Sequence, residues 1–223
     1  MTKLGDRYIE ANNLSEGWLD AVRLVRHVDG QKVVHLMVRI SDPAAEVQEI
    51  RAGAQGLIDA WNARKSEKQS LWDIESVRNT IFPAAWARKN PQPADLVKYY
   101  TDRYDKQGLL GFKENGRGTY FGRIVAYPRT DDVAADQLSD TVRKLQAEKK
   151  SRGPKSSRYE INIFNERLDR NPMSFPCLAH ISVHLHEGRV HMQAVYRNEY
   201  PRRARVWQLS RPGRAAGVYR TGR

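Results

Sequence analysis

Two runs of alternating apolar and polar residues, LAHISVHLH and RVHMQAVY, constrain the fold of this chain more than any other feature of its sequence. They flank Glu187-Gly188. Alternation with a period of two residues is typical of a strand with one buried face, and a short glycine-containing turn joins such strands into a hairpin. The sequence therefore predicts an antiparallel hairpin over residues 178–198, with an apolar face that includes Ile181, Val183 and Leu185.

The polar face of the first strand carries His180, His184 and His186. Imidazole is a common zinc ligand, which raises the question of a metal site. However, residues two apart on a strand are separated by about 6.6–7 Å. No acidic or sulfur ligand accompanies the histidines at a recurring spacing. The pattern favours a solvated or interface face, and no metal is predicted.

The remaining periodicity predicts an α/β (α+β) fold. Helices are predicted over 16–28, 44–64, 93–107 and 131–150. The last is expected to be capped by Asp132, with a buried side formed by Val133, Leu138, Val142 and Leu145. Pro83 is expected to break or bend the segment around it. Residues 31–43 and 159–165 have the composition of strands. The glycine-rich and aromatic residues 109–128 predict a loop leading into a short strand.

The net charge of +12 is unevenly distributed along the chain. Residues 201–223 contain seven arginines and no acidic residue, and without them residues 1–200 carry a charge of only +5. The first 200 residues are therefore only mildly basic. The arginine-rich tail could neutralise phosphates, and Trp207 and Tyr219 could stack on bases. Nucleic acid binding through this tail is therefore one alternative function.

Length and composition predict one compact domain, soluble and cytoplasmic. No run of about 18 apolar residues could form a transmembrane helix, and the first residues lack the apolar core of a signal peptide. Cys177 is the only cysteine, so the chain cannot form an internal disulfide. A lone cysteine is most often a small buried hydrophobe, and its context must decide whether it is more than that.

The context of Cys177 favours a reactive thiol. It follows Pro176 at the start of the first hairpin strand, while Arg197 ends the second strand and Arg158 precedes another strand. A thiolate is the reactive form of cysteine, and nearby guanidinium groups favour it while offering bidentate sites for phosphate. These residue types are suited to nucleophilic attack on a phosphate-bearing substrate.

At these residues the sequence resembles the thymidylate synthase family, which includes pyrimidine hydroxymethylases. In that family a Pro-Cys pair opens a strand, and the next strand contains a Gln-x-x-x-Arg pattern, matched here by Gln193 and Arg197. The segment TYFGRIVAYP is similar to a Tyr-Gly-Arg segment of the family, and Asp136-Gln137-Leu138 matches its Asp-Gln-Leu helix. The resemblance covers about residues 117–199 and implies a thymidylate synthase-like mixed sheet with flanking helices.

The resemblance implies one-carbon transfer, either methyl or hydroxymethyl, to carbon 5 of a pyrimidine nucleoside monophosphate such as dUMP or dCMP. Cys177 would be the nucleophile and Tyr120 a second catalytic residue. The donor would be 5,10-methylenetetrahydrofolate. The general-base glutamate of the family has no clear match, and Glu75 is the nearest candidate.

The resemblance also assigns binding residues. Arg197, Arg158 and Asn198 would bind the substrate phosphate, and Gln193 would contact the substrate elsewhere. In the family, the arginine that corresponds to Arg158 reaches into the partner's site, so a homodimer is expected.

The resemblance ends at Tyr200. The family continues with a Leu-Gly-Leu stretch, a pyrimidine-reading asparagine and a ribose-binding His and Tyr, none of which follows Asn198. Permissible codons for residues 201–223, shifted by one nucleotide, encode LVERAYGNYLGLAELQAYIAQA. We therefore interpret these residues as a frameshifted or disordered basic tail after a thymidylate synthase-like domain over 1–200. Catalysis is expected to be impaired, and an inactive family member that binds nucleotide is the non-enzymatic alternative.

Overall fold

The computed structural model describes residues 7–31, 33–66, 70–106, 118–128, 134–149, 159–170, 176–197 and 217–222. They form a mixed α/β structure, as predicted. The chain divides into two compact units. Unit 1 comprises Met1–Arg78 and His186–Arg223, and unit 2 comprises Asn79–Leu185. No helix in the described ranges has the length and apolar composition that a membrane span requires.

Unit 1 is built around a mixed sheet. Strand β1 (Tyr8–Ala11) lies parallel to β2 (Met37–Ile40), with Tyr8 opposite Met37 and Ala11 opposite Ile40. Strand β6 (Gly217–Gly222) lies parallel to β2 and antiparallel to β5 (Arg189–Tyr196). Strand β6 falls within the predicted basic tail. The interpretation of that tail as frameshifted stays a prediction.

Helix α1 (Leu14–His27) connects β1 to β2 and covers one face of these strands. Asn13 begins it by accepting a hydrogen bond from the backbone N–H of Glu16 at 3.0 Å. A Cβ atom at Gly17 would lie 2.5 Å from Cδ1 of Ile40, so only glycine permits this close approach of helix and strand without a shift. The helix predicted over 16–28 is confirmed, and it begins two residues earlier.

Helix α2 (Gln48–Asn62) confirms the prediction for 44–64, and α3 (Ile74–Ile81) follows it. The two helices and the segment between them share a buried apolar cluster of Ala54, Ile58, Leu71 and Ile74. Asn62 fixes the connecting segment, since its amide donates to the carbonyl of Leu71 at 2.9 Å and accepts from the N–H of Leu71 at 2.7 Å. Residues between α2 and α3 are therefore held by both apolar and polar contacts.

Asp73 makes the start of α3 sensitive to pH. Burial acts to raise the pKa of Asp73, but hydrogen bonds from the hydroxyl and N–H of Ser76, at 2.7 and 2.8 Å, hold it below its usual value. A lowered folded-state pKa stabilises the fold above the unfolded pKa of about 3.9, and this stabilisation is lost as the pH falls below it. In urea titrations from pH 7 to pH 3, we expect Asp73→Asn to lose less stability than wild type. An identical loss in both proteins would contradict this.

Unit 2 contains four complete helices, namely α4 (Ala84–Lys89), α5 (Pro93–Lys106), α6 (Tyr120–Val125) and α7 (Gln137–Lys149), within its described residues. Strand β3 (Glu160–Asn162) pairs antiparallel with β4 (Leu178–His186). Pro83 separates α3 from α4, which confirms the predicted break. Tyr159, Ile161 and Ile163 are buried, as their alternation predicts.

The prediction of a loop and short strand before residue 128 is wrong in its last part, because residues 120–125 form helix α6. Thr119 caps it, with its hydroxyl accepting from the N–H of Gly122 at 3.0 Å. Phe121, Ile124 and Val125 are buried. Six residues are too few for helical periodicity to be recognised, and burial in the unit overrides the β preference of this aromatic segment.

Helix α7 confirms the predicted helix but begins later. The Asp136 carboxylate accepts from the N–H of Ser139 at 3.0 Å, so Asp136 occupies the capping position. The predicted cap Asp132 and its neighbour Val133 lie outside the described residues. Leu138, Val142 and Leu145 are only half-buried, whereas Thr141 and Glu148 are buried, so the predicted buried side is wrong in part.

The two strands and the turn of the predicted hairpin are confirmed. Strands β4 and β5 are joined by Glu187-Gly188, whose φ angles are +49° and +73°. Two consecutive positive φ angles are typical of the tight turns that connect hairpin strands. Glycine adopts such angles at little cost, which explains Gly188 at this position.

Candidate functional site

The start of β4 places Cys177, the predicted nucleophile, in a half-buried position. Its thiol is free, and it lies between Pro176 and the buried Leu178 that begins the strand. The carbonyl oxygen of Ala179 accepts hydrogen bonds from the N–H groups of Ile163 and Phe164, both at 3.0 Å. The backbone beside Cys177 is therefore joined to the end of β3.

A polar network covers one face of β3 and β4. Glu160 accepts from the hydroxyl of Ser182 at 2.8 Å and contacts Nε2 of His180 at 2.5 Å. Nδ1 of His180 lies 3.1 Å from the side-chain oxygen of Asn162, and Nε2 of His184 lies 3.2 Å from Ser182 Oγ. The alternation in YEINIFN signals Glu160 and Asn162 as neighbours on one face, but the sequence did not identify them as histidine partners.

This histidine face contains no metal-binding group within the described ranges. No three His, Cys, Asp or Glu residues there are arranged to hold an ion. His180 instead binds neighbouring carboxylate and amide groups, and His186 is largely exposed.

Arg123 and Asp169 form a buried ion pair that the sequence did not predict. The two Nη atoms of Arg123 donate to the two carboxylate oxygens of Asp169 at 2.5 and 2.8 Å. The side chains are 7% and 0% exposed. Arg123 lies in the segment that carries the family resemblance, but Asp169 is 46 residues away in a loop with no pattern. No sequence signal connects them.

Gln137, the central residue of the Asp-Gln-Leu motif, joins α6, α7 and β3. Its Nε2 atom donates to the carbonyls of Arg123 at 3.2 Å and Asn162 at 2.8 Å. Its Oε1 atom accepts from the N–H of Asn162 at 2.9 Å. One side chain thus bridges two segments that are distant in the sequence.

Tyr120, predicted to be catalytic, is the first residue of α6 and is only 8% exposed. Its neighbour Thr119 contacts the hydroxyl of Tyr100 at 2.5 Å. The ring of Tyr120 therefore belongs to the core of unit 2. Its catalytic role stays a prediction.

The other predicted binding residues are divided between unit 1 and undescribed parts of the chain. Gln193 lies in β5, opposite Tyr219 of β6, and Arg197 directly follows β5 and is exposed. Arg158 and Asn198 lie outside the described residues. Their assignment to phosphate binding stays a prediction.

Glu75, the candidate general base, lies on α3 in unit 1 and takes part in ion pairs. Arg51 donates to it at 2.9 Å, and Arg78 lies 3.6 Å from it. Hydrogen bonding to Glu46 and Glu75 raises the pKa of Arg51 despite the opposing effect of burial. Glu75 is therefore paired with arginines at the surface of α3, and its assignment as a base stays a prediction.

Unit 1 contains a cavity of about 330 Å³ beside the end of β1 and helix α1. Its lining includes Glu10, Glu16, Asp20 and Arg23. None of the predicted site residues lines this cavity.

No protein-family model, curated protein or solved structure matches the chain. The functional interpretation therefore depends on the residues and contacts described above.

Proposed function

We propose that this chain is a divergent thymidylate synthase-like protein that binds a pyrimidine nucleoside monophosphate and attacks it through Cys177. The observation that carries this proposal is the network around Gln137. It joins two segments that carry the resemblance, namely the Gly-Arg segment of α6 and the Asp-Gln-Leu start of α7. It also reaches β3, whose end is bonded to the start of β4 beside Cys177. These contacts bring the segments that carry the resemblance together at β3, and this proximity supports the proposal.

The proposed chemistry begins at the thiolate of Cys177, which adds to carbon 6 of the pyrimidine and makes carbon 5 nucleophilic. Arg197 would hold the 5′-phosphate through charge-assisted hydrogen bonds. In this proposal the protein is a cytoplasmic homodimer, and Arg158 contributes to the partner's phosphate site.

When bound, 5,10-methylenetetrahydrofolate would supply the one-carbon unit. The chemistry assigned to the chain's own residues is nucleotide binding and the addition of Cys177 to the base.

Nucleotide binding can be tested by protection of the single thiol. We expect dUMP or dCMP to slow alkylation of Cys177 by iodoacetamide, and deoxyuridine, which lacks the phosphate, to be much less effective. Arg197→Ala should weaken protection roughly 10- to 100-fold, because a hydrogen bond to a charged group contributes about 1.5–3 kcal/mol. Arg189→Ala, at the exposed opposite end of β5, is the matched control. Absence of protection by either nucleotide would contradict the proposed site.

Turnover is tested by tritium release from 5-tritiated dUMP or dCMP in the presence of the folate. We expect no measurable release, because the residues after Asn198 do not contain the Leu-Gly-Leu stretch and the pyrimidine-reading asparagine with which the family continues. Release that Cys177→Ser abolishes would show an active enzyme and would contradict the expected impairment. Nucleotide protection without release would identify a binding protein.

A further inference from the structure

The loop that leads from β3 toward Cys177 is organised by two polar side chains. The carboxylate of Asp169 accepts from the N–H of Asn165 at 2.8 Å, and the N–H of Asp169 donates to the carbonyl of Asn165 at 2.8 Å. The side-chain oxygen of Asn165 accepts from the N–H groups of Arg167 at 3.1 Å and Leu168 at 3.2 Å. Residues 165–169 therefore form a turn that these internal hydrogen bonds close.

Arg123 fixes this turn to the end of β3. Besides its two bonds to Asp169, its Nη1 atom donates to the carbonyl of Ile163 at 3.0 Å. The N–H of the same Ile163 donates to the carbonyl of Ala179, two residues after Cys177. A continuous path of hydrogen bonds thus connects the buried guanidinium to the first residues of β4.

The burial of this pair makes it a rigid connection. Removing two charges from water is costly and is offset only where the geometry is good and further hydrogen bonds satisfy both groups. Here the pair is bidentate, and both partners also bond to the backbone. Movement of the turn would leave a buried charge unpaired, so the arrangement strongly favours one backbone conformation.

We propose that Arg123 and Asp169 are positioning residues for Cys177. They hold the start of β4 in the conformation that keeps the thiol half-buried and sets its surroundings. Their functional importance rests on the proposed function, in which Cys177 is the nucleophile. Their effect on the thiol itself can be measured without any substrate.

Because Cys177 is the only cysteine, alkylation by iodoacetamide reports on this position alone. We would measure the pH profile of the alkylation rate for wild type, Asp169→Asn and Arg123→Lys under conditions in which each protein is folded. Asp169→Asn should raise the rate on the order of tenfold, which corresponds to about 1.4 kcal/mol of easier local opening. Asp169→Asn should also shift the pH at which the alkylation rate is half-maximal. Arg123→Lys keeps the charge but not the bidentate geometry, so its change should be smaller.

Leu96→Ala is the matched control. Leu96 is buried in α5 of the same unit and takes no part in the Arg123–Asp169 contacts. It should lower the stability without changing the pH profile of alkylation in the folded protein. The positioning role would be overturned if Asp169→Asn and Arg123→Lys were both alkylated with the same pH profile as wild type. If Asp169→Asn does not fold, the profile of Arg123→Lys alone tests the proposal.

This experiment separates the two proposals. Altered alkylation in the variants, with no nucleotide protection in wild type, would support the positioning role and contradict the proposed function. Nucleotide protection in wild type, with unchanged alkylation profiles in the variants, would support the proposed function and contradict the positioning role.

Discussion

Phe121→Ala is expected to lower the free energy of unfolding by about 3–5 kcal/mol, the usual cost of truncating a buried aromatic side chain. Phe121 is 0% exposed. Its ring packs edge to face on Tyr100, with centroids 4.7 Å apart, and on Phe82, with centroids 5.6 Å apart. Removal would leave a cavity between α5 and α6 and would also lose the aromatic contacts. Urea denaturation followed by circular dichroism measures the effect.

The control is Phe82→Ala, which removes the other ring of the same pair. Phe82 is 42% exposed, so its truncation should cost only about 1 kcal/mol. The comparison distinguishes burial from the aromatic contact, because both variants lose that contact. Equal destabilisation by the two substitutions would contradict the assignment of Phe121 to the core.

Asp169→Ala is expected to be similarly damaging, with a loss of about 3–5 kcal/mol. The guanidinium of Arg123 would remain buried without its carboxylate partner. The same urea measurement applies. An exposed pair offers the control, since Asp140→Ala removes a partner of Arg143 and Lys144 on the surface of α7 and should cost well under 1 kcal/mol.

Replacing both buried charges separates the cost of an unpaired charge from the value of the pair. We expect the double variant Arg123→Met/Asp169→Leu to recover part of the stability lost in Asp169→Ala, because apolar residues of similar volume can fill such a site. Recovery should be incomplete, because the carbonyl of Ile163 and the N–H of Asn165 would lose their partners. A double variant less stable than Asp169→Ala would contradict the unpaired-charge explanation.

The elements that were predicted correctly from the sequence are specified by a strong pattern among neighbouring residues. Helix α1 has an apolar stripe and a capping asparagine, β4 alternates strictly between apolar and polar residues from His180 onward, and a glycine turn follows it. Pro83 interrupts a helix for a reason internal to the residue, since it lacks an N–H donor. In each case the information lies within a few neighbouring residues.

The features that were missed depend on residues far apart in the chain. Helix α6 has six residues, and its conformation is decided by the burial of Phe121 and Val125 rather than by periodicity. The partner of Arg123 is chosen by the fold, and the pairing of Glu160 with His180 depends on the register of β3 against β4. Spacing along the chain identified Cys177 as a candidate, but it could not identify the side chains that hold its surroundings.

The interruption of unit 1 by unit 2 has a consequence for the order of folding. Strands β1 and β2 lie close together in the chain, whereas β5 and β6 come after the whole of unit 2. Pairings between distant segments form slowly, because the chain between them must first be confined. We therefore expect an intermediate in which unit 2 and the β1–α1–β2 segment are structured while β2 still has an unpaired edge. Such an edge can pair with another chain, so aggregation during refolding should begin there.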